Sequence, residues 1–342
     1  MPARPPAARP PLARLLWGTA LALAVVLAFV WLVPSRDYLF VPHTAQPLAD
    51  KVTVEGEKPP DAVGGIYFVD VVVRKASWAE RLLPFLRPDG SSLVDRSQVV
   101  PPDSSFEQRR REGRQEMARS EEVAAAVALK QAGFDVRTDP QGALVEGVAS
   151  DVPAAAVLDP GDVIVRANDT VVRTPDGLRR ALSSVAPGAT VRLTVRHGGS
   201  LAQRNVRTVE SPSRPGRAII GIRVAQAADV KLPVKVRIDL GNVGGPSAGL
   251  PFALDVLQEL GHDVDRGLKV AATGEIELDG TVAPIGGVKQ KVFGARRAGV
   301  DVFLVPAGDN AAEARRYAGD LRIVPVQSFQ QALSALRTLA SK

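Results

Sequence analysis

Residues 15–33 read LLWGTALALAVVLAFVWLV, an apolar run of 19 residues that contains no charged side chain. As a helix this run would be about 28 Å long, close to the thickness of about 30 Å of a bilayer's hydrocarbon core. Arg4, Arg9 and Arg14 precede it without a nearby acidic residue, so the positive-inside rule puts the N-terminus in the cytoplasm. The sequence therefore predicts a cytoplasmic tail at 1–14, one transmembrane helix and a large remainder outside the cytoplasmic membrane.

Two other interpretations of the apolar run are a cleavable signal peptide and a buried helix of a soluble domain. A signal peptide has a shorter apolar core followed by a small-x-small cleavage site. The exit of this run, WLVPSRD, contains no such site, which favours an uncleaved anchor. Residues 34–56 are then expected to form an extended stalk.

The composition bounds the kinds of site that the chain can hold. It has 342 residues and no cysteine, which excludes disulfides, thiolate zinc sites and a cysteine nucleophile. Its three histidines are scattered, and its net charge of +6 is not arranged as a basic stripe interleaved with aromatic residues. We therefore expect no metal, no cofactor and no nucleic-acid partner.

The pattern of apolar residues changes along the chain and indicates more than one folded unit. A β-branched run predicts a strand at 65–73, and an apolar stripe at helical spacing predicts a helix at 105–130. Short strands and turns follow between residues 134 and 214. From residue 217 strands and helices alternate, which is typical of an α/β domain.

Ser247 lies in GNVGGPSAGL, directly before a strongly apolar helical stretch. One interpretation makes it the N-cap of a helix at 247–260, because serine is a favoured cap. The other makes it a nucleophile. The glycines around it exceed what a cap needs and let backbone N–H groups approach a ligand, and a helix N-terminus stabilises a developing oxyanion.

A serine hydroxyl becomes a nucleophile only when a base removes its proton. GPSAG also fits the G-x-S-x-G elbow of α/β-hydrolases, but only His262 follows it, about 20 Å along the helix that begins near Ser247. Lys289 and Lys291 remain as candidate bases, and burial can lower a lysine pKa by the required three units or so. Two residues apart on a helix, only one of them can face Ser247, and both could instead be solvated surface lysines.

Several motifs in the C-terminal third resemble the proteolytic domain of Lon-type serine proteases, over nearly all of residues 217–342. They are GGPSAG at 244–249, TGEI at 273–276, DGTVAPIGGVKQK at 279–291 and AGVDVFLVP at 298–306. The resemblance implies that Ser247 is the catalytic nucleophile and that Lys291, the second lysine of the GG-x-K-x-K motif, is the base. It also implies that Thr273 is a hydrogen-bond partner near that lysine.

The resemblance extends to the N-terminal half, where Lon-type domains carry an M-x-x-S-x-x-x-A pattern. Met117, Ser120 and Ala124 reproduce it. Residues 57–131 are therefore expected to be the N-terminal part of the proteolytic domain, and residues 216–342 the part with the Ser-Lys dyad.

Between these two parts, residues 132–215 resemble a PDZ domain of the bacterial type, most specifically through DPGDVI at 159–164. The resemblance implies binding of peptide C-termini by strand addition. The groove would lie between a strand at 134–136 and a helix at 175–185, with the carboxylate-binding loop near 132–134.

The whole layout resembles membrane-anchored PDZ-containing Lon-like serine proteases. The expected fold class is an α/β (α+β) Lon-type proteolytic domain with an inserted, β-rich PDZ-like domain, preceded by one transmembrane helix. The chain has no Gly-Lys dipeptide and so no phosphate-binding loop for ATP. The expected activity is ATP-independent cleavage of exposed or unfolded proteins outside the cytoplasmic membrane.

The family also sets the expectation of a homo-oligomer, namely a hexameric ring. Two alternatives of other classes stay open from the sequence. One is a membrane-anchored PDZ peptide-binding protein with an inactive protease fold, and the other is a lipase or esterase, which here lacks its histidine.

Overall fold

The computed structural model describes residues 11–57, 64–100, 105–149, 151–211, 214–241 and 243–340. The predicted cytoplasmic tail lies outside the described residues up to residue 10. The helices are α1 Pro11–Leu32, α2 Trp78–Leu82, α3 Arg96–Val99, α4 Phe106–Gln131, α5 Pro175–Leu182, α6 Gly249–Glu259, α7 Val288–Ala298, α8 Asp309–Tyr317 and α9 Phe329–Ala340. Short 3-10 turns lie at Pro84–Leu86, Pro153–Ala156 and Pro246–Ala248.

The strands fall into a central sheet, a PDZ-like sheet and several small antiparallel pairings. They are β1 Pro34–Pro42, β2 Gln46–Pro47, β3 Val52–Val54, β4 Gly65–Phe68, β5 Val71–Ser77, β6 Ser92–Val94, β7 Arg137–Val148, β8 Val163–Ala167, β9 Thr170–Val171, β10 Thr190–His197, β11 Ser200–Arg207, β12 Val209–Ser211, β13 Arg214–Ile219, β14 Ile222–Lys231, β15 Val236–Ile238, β16 Lys269–Ala272, β17 Glu275–Ile276, β18 Val282–Ala283, β19 Val302–Pro306 and β20 Arg322–Val326.

The central sheet has the strand order β2-β4-β16-β19-β20. β4, β16, β19 and β20 run parallel, and β2 is an antiparallel edge strand. Successive side chains of a strand point to opposite faces, so Val270 and Ala272 pack in the core with α4, α6 and α9, while Ala271 packs in the core with α7 and α8. The result is a three-layer arrangement in which α6 is buried along its whole length.

The N-terminal apolar run lies in α1 except for Val33, which directly follows the helix. Among the residues that the structure describes, no helix combines the length and the hydropathy needed to cross a membrane. The structure therefore does not support the predicted transmembrane helix at 15–33.

The predicted extended stalk at 34–56 is wrong. β1 is the middle strand of a three-stranded antiparallel sheet, between β5 and β6. Tyr38 and Leu39 are fully buried there. The apolar stretch YLFV within β1 pairs with residues of β5 that lie more than thirty positions further along the chain. Because of this long-range pairing, the segment is part of the folded domain and not a linker.

The predicted strand at 65–73 is two strands. β4 joins the central sheet and β5 joins the β1 sheet, and the chain changes sheets at Val69 and Asp70. A continuous apolar run is compatible with either sheet, so the sequence pattern does not mark the break. The predicted helix at 105–130 is α4, and the Ser105 side chain caps it by accepting a hydrogen bond from the Gln108 N–H.

The PDZ-like unit is an antiparallel sheet of order β11-β10-β8-β7-β14 with α5 packed on it. Val145, Ile164 and Leu193 lie at the centre of its separate core. β14 pairs with β7 along its whole length, although it follows the unit's other strands in sequence and leads into the C-terminal part of the chain.

The predicted groove strand at 134–136 is absent from the structure, because β7 begins only at Arg137. β14 occupies the sheet edge instead, and two of its side chains, Ile222 and Val224, pack against the core of the PDZ-like unit. The prediction failed because the partner of β7 comes from a later segment rather than from the residues directly before it.

Candidate active site

Three elements bring polar side chains to one end of the central sheet. Ser247 lies in the 3-10 turn directly before α6, Thr273 directly follows β16, and Lys291 lies in the first turn of α7. α7 begins after Gly287, which has a φ of 70° and therefore a left-handed backbone that favours glycine. The loop between β16 and α7 thus returns the lysine to the end of the sheet.

Hydrogen bonds connect each of the three residues to the other two. The Lys291 Nζ lies 2.7 Å from the Ser247 Oγ and 2.9 Å from the Thr273 Oγ1. The Thr273 hydroxyl donates to the backbone oxygen of Ser247 over 3.1 Å, so its lone pairs are left to accept from the lysine. Thr273 therefore orients both other residues.

Burial in the protein interior determines the protonation state of Lys291. Lys291 is 3% exposed and Thr273 is 1% exposed. Burial lowers the pKa of Lys291 to about 7, and the charge of Asp70 acts in the opposite direction. A large part of the lysine population is therefore neutral near pH 7, and a neutral amine can accept a proton from a hydroxyl.

Ser247 is not the N-cap of the following helix, contrary to one of the two sequence interpretations. α6 begins at Gly249, its N-cap position is Ala248, and no side chain caps it. The 3-10 turn at Pro246–Ala248 moves the start of the helix two residues beyond the predicted residue 247. The Ser247 hydroxyl consequently bonds to Lys291 instead of to a backbone N–H.

The nucleophile loop is held by α4, which precedes it by more than a hundred residues in the sequence. The Gly245 N–H donates to the Gly113 oxygen over 2.7 Å, and the Ser120 hydroxyl donates to the Pro246 oxygen over 3.0 Å. A Cβ at position 249 would lie only 2.8 Å from the Ser120 Oγ, so glycine is required there. Ser120 belongs to a motif that is visible in the sequence, whereas no sequence pattern marks Gly113.

Replacing Ser120 by alanine is expected to lower kcat/KM about tenfold or more, because a small displacement of a nucleophile loop has a large kinetic cost. The stability loss should be only about 1 kcal/mol, the value of one hydrogen bond. Ser105→Ala on the same helix is the matched control, since loss of that cap also costs about 1 kcal/mol. Peptide cleavage rates and urea unfolding measure both effects. Equal activity of the two variants would show that Ser120 does not position the loop.

The other candidate bases lie elsewhere. The Lys289 Nζ donates to the Ser91 oxygen over 3.0 Å and lies over the Tyr317 ring. His262 lies exposed in the turn after α6, at the opposite end of that helix from Ser247. Of the basic residues considered from the sequence, the structure places Lys291 alone against Ser247. In the part of the chain that is described, no group of three or more His, Asp and Glu side chains is arranged to hold a metal ion.

Comparison with known proteins gives two family matches. Residues 224–338 match the family described as the Lon protease (S16) C-terminal proteolytic domain, and residues 128–208 match the PDZ domain family. The chain carries a Lon-type proteolytic domain and a PDZ domain. The Lon-type domain contains Ser247, Thr273 and Lys291, whereas Gly113 and Ser120 lie outside both matched segments.

Curated proteins similar to this chain include Lon proteases. Lon protease 1 of Sorangium cellulosum is 42% identical over 108 residues, which are 29% of this chain and 13% of that protein. Lon protease of Roseiflexus castenholzii is 34% identical over 153 residues, which are 44% of this chain and 18% of that protein. The aligned part of this chain spans less than a fifth of the length of either relative. The relatives support a serine-type peptidase.

Solved structures similar to this chain include the PDZ domain of an SdrC-like protein from Listeria monocytogenes. It is 28% identical, covers 25% of this chain and 87% of that structure, and has a TM-score of 0.23. A second PDZ domain, from an SdrC-like protein of Listeria innocua, is 26% identical with the same TM-score.

Proposed function

We propose that the protein is a serine endopeptidase in which Ser247 is the nucleophile and Lys291 is the general base. The observation that carries this proposal is the 2.7 Å contact between the Lys291 Nζ and the Ser247 Oγ. A buried lysine with a pKa of about 7 is the kind of group that can activate a hydroxyl near neutral pH. The Lon-type relatives support the same assignment.

The reaction proceeds in two stages through a covalent intermediate. Neutral Lys291 takes the hydroxyl proton while the Ser247 Oγ attacks the carbonyl carbon of the scissile peptide bond. The Lys291 ammonium then gives that proton to the leaving amine, and an ester on Ser247 remains. Water, deprotonated by Lys291 in the same way, hydrolyses this ester and regenerates the serine.

We assign stabilisation of the oxyanion to the backbone N–H groups of Ser247 and Ala248. Of the two residues directly before Ser247, Pro246 has no N–H and Gly245 already donates its N–H to the Gly113 oxygen. A donor aimed at the developing negative charge is worth roughly 3 kcal/mol of transition-state stabilisation.

The substrates that we propose are exposed or unfolded protein segments, cleaved without ATP. The absence of a phosphate-binding loop from the sequence supports this proposal, because such an enzyme lacks a means to unfold its substrates by ATP hydrolysis. The PDZ domain would bind peptide C-termini by strand addition, and the edge strands of its sheet are β11 and β14.

One assay separates the proposed activity from its rivals. Wild-type protein is incubated without ATP with a denatured casein-type protein and, in parallel, with a small ester, and Ser247→Ala serves as the control in both. Cleavage of the protein by wild type alone supports the endopeptidase. Ester hydrolysis without proteolysis would point to an esterase, and inactivity towards both would point to a peptide-binding protein with an inert protease fold.

The rate of cleavage is expected to rise with pH. Lys291 acts as a base only when it is neutral, so kcat/KM should increase through about pH 7 and level off above about pH 8. Initial rates on a fluorogenic peptide between about pH 5.5 and pH 9.5 measure the profile. A flat profile across this range would exclude a lysine base with the pKa that burial gives it.

We also propose that the apolar run 15–33 anchors the protein in the cytoplasmic membrane, with the catalytic part outside. The uncharged sequence and the flanking arginines support this, as do Leu16, Trp17, Leu21 and Trp31, which are each more than half exposed. Resistance to alkaline carbonate extraction, together with digestion by protease added from outside, is expected. Release by carbonate would contradict the anchor.

The hexameric ring suggested by the family is likewise a proposal, and light scattering of the purified full chain tests it.

A further inference from the structure

Asp70 lies at the same end of the central sheet as the candidate catalytic residues. β4 and β16 are parallel neighbours, and Phe68 is opposite Ala272 in their register. The chain leaves β4 at Val69 and Asp70, just as it leaves β16 at Thr273. Because parallel strands end at a common edge, Asp70 is brought to the edge where Thr273 meets Lys291.

α7 packs tightly on the segments around Asp70. The Ala45 N–H donates to the Gly294 oxygen over 3.1 Å, and a Cβ at position 294 would lie 2.1 Å from the His43 oxygen and 2.9 Å from a methyl group of Val69. Gly294 is three residues after Lys291 and therefore shares its face of the helix. The face of α7 that carries Lys291 is thus pressed against the segments that carry His43 and Asp70.

The carboxylate of Asp70 is fixed by a specific partner. The His43 Nδ1 lies 2.7 Å from the Asp70 Oδ1, and the Gln46 amide lies 3.4 Å from the same ring nitrogen. The Asp70 side chain is mostly buried, at 19% exposure. A carboxylate held in this way keeps a defined position relative to α7.

The charged groups around Asp70 come from three elements. His43 comes from the connection between β1 and β2, Asp70 from the end of β4, and Lys291 from α7. The other three cations of α7 have partners elsewhere. Lys289 donates to the Ser91 oxygen, Arg296 to the Tyr317 oxygen, and Arg297 to the oxygens of Pro42 and Asp89. Lys291 is therefore the cation of α7 on which the Asp70 charge acts, and that charge raises the pKa of Lys291 against the effect of burial.

We propose that Asp70, held by His43, is a positioning residue that faces Lys291 and sets the pH range in which Lys291 serves as the base. The proposal rests on the proposed protease function. A carboxylate beside the lysine favours the ammonium form, so removal of its charge makes the neutral base available at lower pH.

The test compares the pH dependence of kcat/KM for wild type, Asp70→Asn and Asp263→Asn. Asp263 is an exposed carboxylate that pairs with Arg266 beyond the end of α6 and serves as the matched control. Asp70→Asn should move the acidic limb of the profile to lower pH by about one unit, whereas Asp263→Asn should leave it in place. An unmoved limb in Asp70→Asn, with only the plateau lowered, would overturn the proposal and leave Asp70 a structural role.

His43 is tested by a double-mutant cycle. His43→Ala should change the midpoint of the acidic limb when Asp70 is present and leave it unchanged in the Asp70→Asn background, because His43 acts through the carboxylate. Equal shifts in the two backgrounds would overturn this part of the proposal.

A direct titration separates this inference from the proposed function. The full chain is labelled with ¹³C at the lysine ε-carbons, and Lys291→Arg identifies the resonance of Lys291. Its titration midpoint should fall in Asp70→Asn whether or not the protein cleaves anything. An unchanged midpoint overturns the inference, whereas absence of proteolysis by wild type overturns only the proposed function.

Discussion

Replacing Ser247 by alanine is expected to abolish cleavage of unfolded proteins, with a loss in kcat of roughly four to six orders of magnitude. The substitution removes the attacking oxygen itself, so no ester intermediate forms. Ser247 is half-buried, and its hydroxyl contributes one side-chain hydrogen bond, to Lys291. The fold should therefore be preserved, with a change in the free energy of unfolding of about 1 kcal/mol or less.

Cleavage of denatured protein, followed by gel and mass spectrometry, measures the loss in Ser247→Ala. Ser328→Ala is the matched control, because Ser328 also precedes a helix and its hydroxyl accepts a hydrogen bond from the Gln331 N–H. The control should keep full activity. Residual cleavage by Ser247→Ala above about a hundredth of the wild-type rate would mean that another group carries the reaction.

Replacing Lys291 by methionine should likewise abolish cleavage, and it should at the same time stabilise the protein. A lysine whose pKa is lowered to about 7 by burial is destabilising wherever it is protonated in the unfolded chain. The unfolded lysine has a pKa of about 10.4, so the unfolded state binds more protons between about pH 7 and pH 10 and wild-type stability rises with pH there. The loss of stability that the buried lysine causes is complete below about pH 7 and disappears near pH 10.

Methionine has a similar length and no charge. The gain in the free energy of unfolding for Lys291→Met should therefore be about 2–4 kcal/mol near pH 6 and much smaller near pH 10. The lost hydrogen bonds to Ser247 and Thr273 keep the gain below the full electrostatic cost. Urea unfolding of both proteins at the two pH values measures it. Lys289→Met is the control, because Lys289 lies on the same helix and bonds to a backbone oxygen instead. A gain that does not depend on pH would contradict the buried, titrating lysine.

The elements that could be predicted from the sequence are those with local start and stop signals. The alternating pattern after residue 217 predicts a helix at 288–298, and α7 has these bounds because Gly287 and Gly299 adopt left-handed backbone at its two ends. The same pattern predicts a helix at 309–318, which is one residue longer than α8. A glycine that ends a helix acts within a few residues of its own position, so the local sequence predicts the end of the helix correctly.

The elements that could not be predicted depend on partners distant in sequence. β1 is the middle strand of its small sheet because β5 and β6 pair with it. In the PDZ-like sheet, β14 pairs with β7 at the edge where a strand at 134–136 was expected. Pattern and spacing alone define no partner for such strands. Strand pairing across tens of residues is a property of the whole fold.

The candidate site shows the same division. Residue patterns reduced the bases to Lys289 and Lys291 without deciding between them, and the resemblance to Lon-type domains selected Lys291. The structure adds the reason, because Lys289 bonds to the Ser91 oxygen on another face of α7. Gly113 and Asp70 carry no local motif, so their contributions appear only once α4 and β4 are placed against the nucleophile loop and α7.

Ser247, activated by Lys291, is expected to form an ester with its substrate during cleavage. Acid quenching of wild-type protein within milliseconds of mixing with a rapidly cleaved peptide, followed by peptide mapping, detects this ester. We expect an adduct on the fragment that contains Ser247, with the mass of the N-terminal product less one water, and its absence in Lys291→Met. An adduct on a different residue, or steady cleavage without any adduct while Ser247→Ala remains active, would contradict the ester on Ser247.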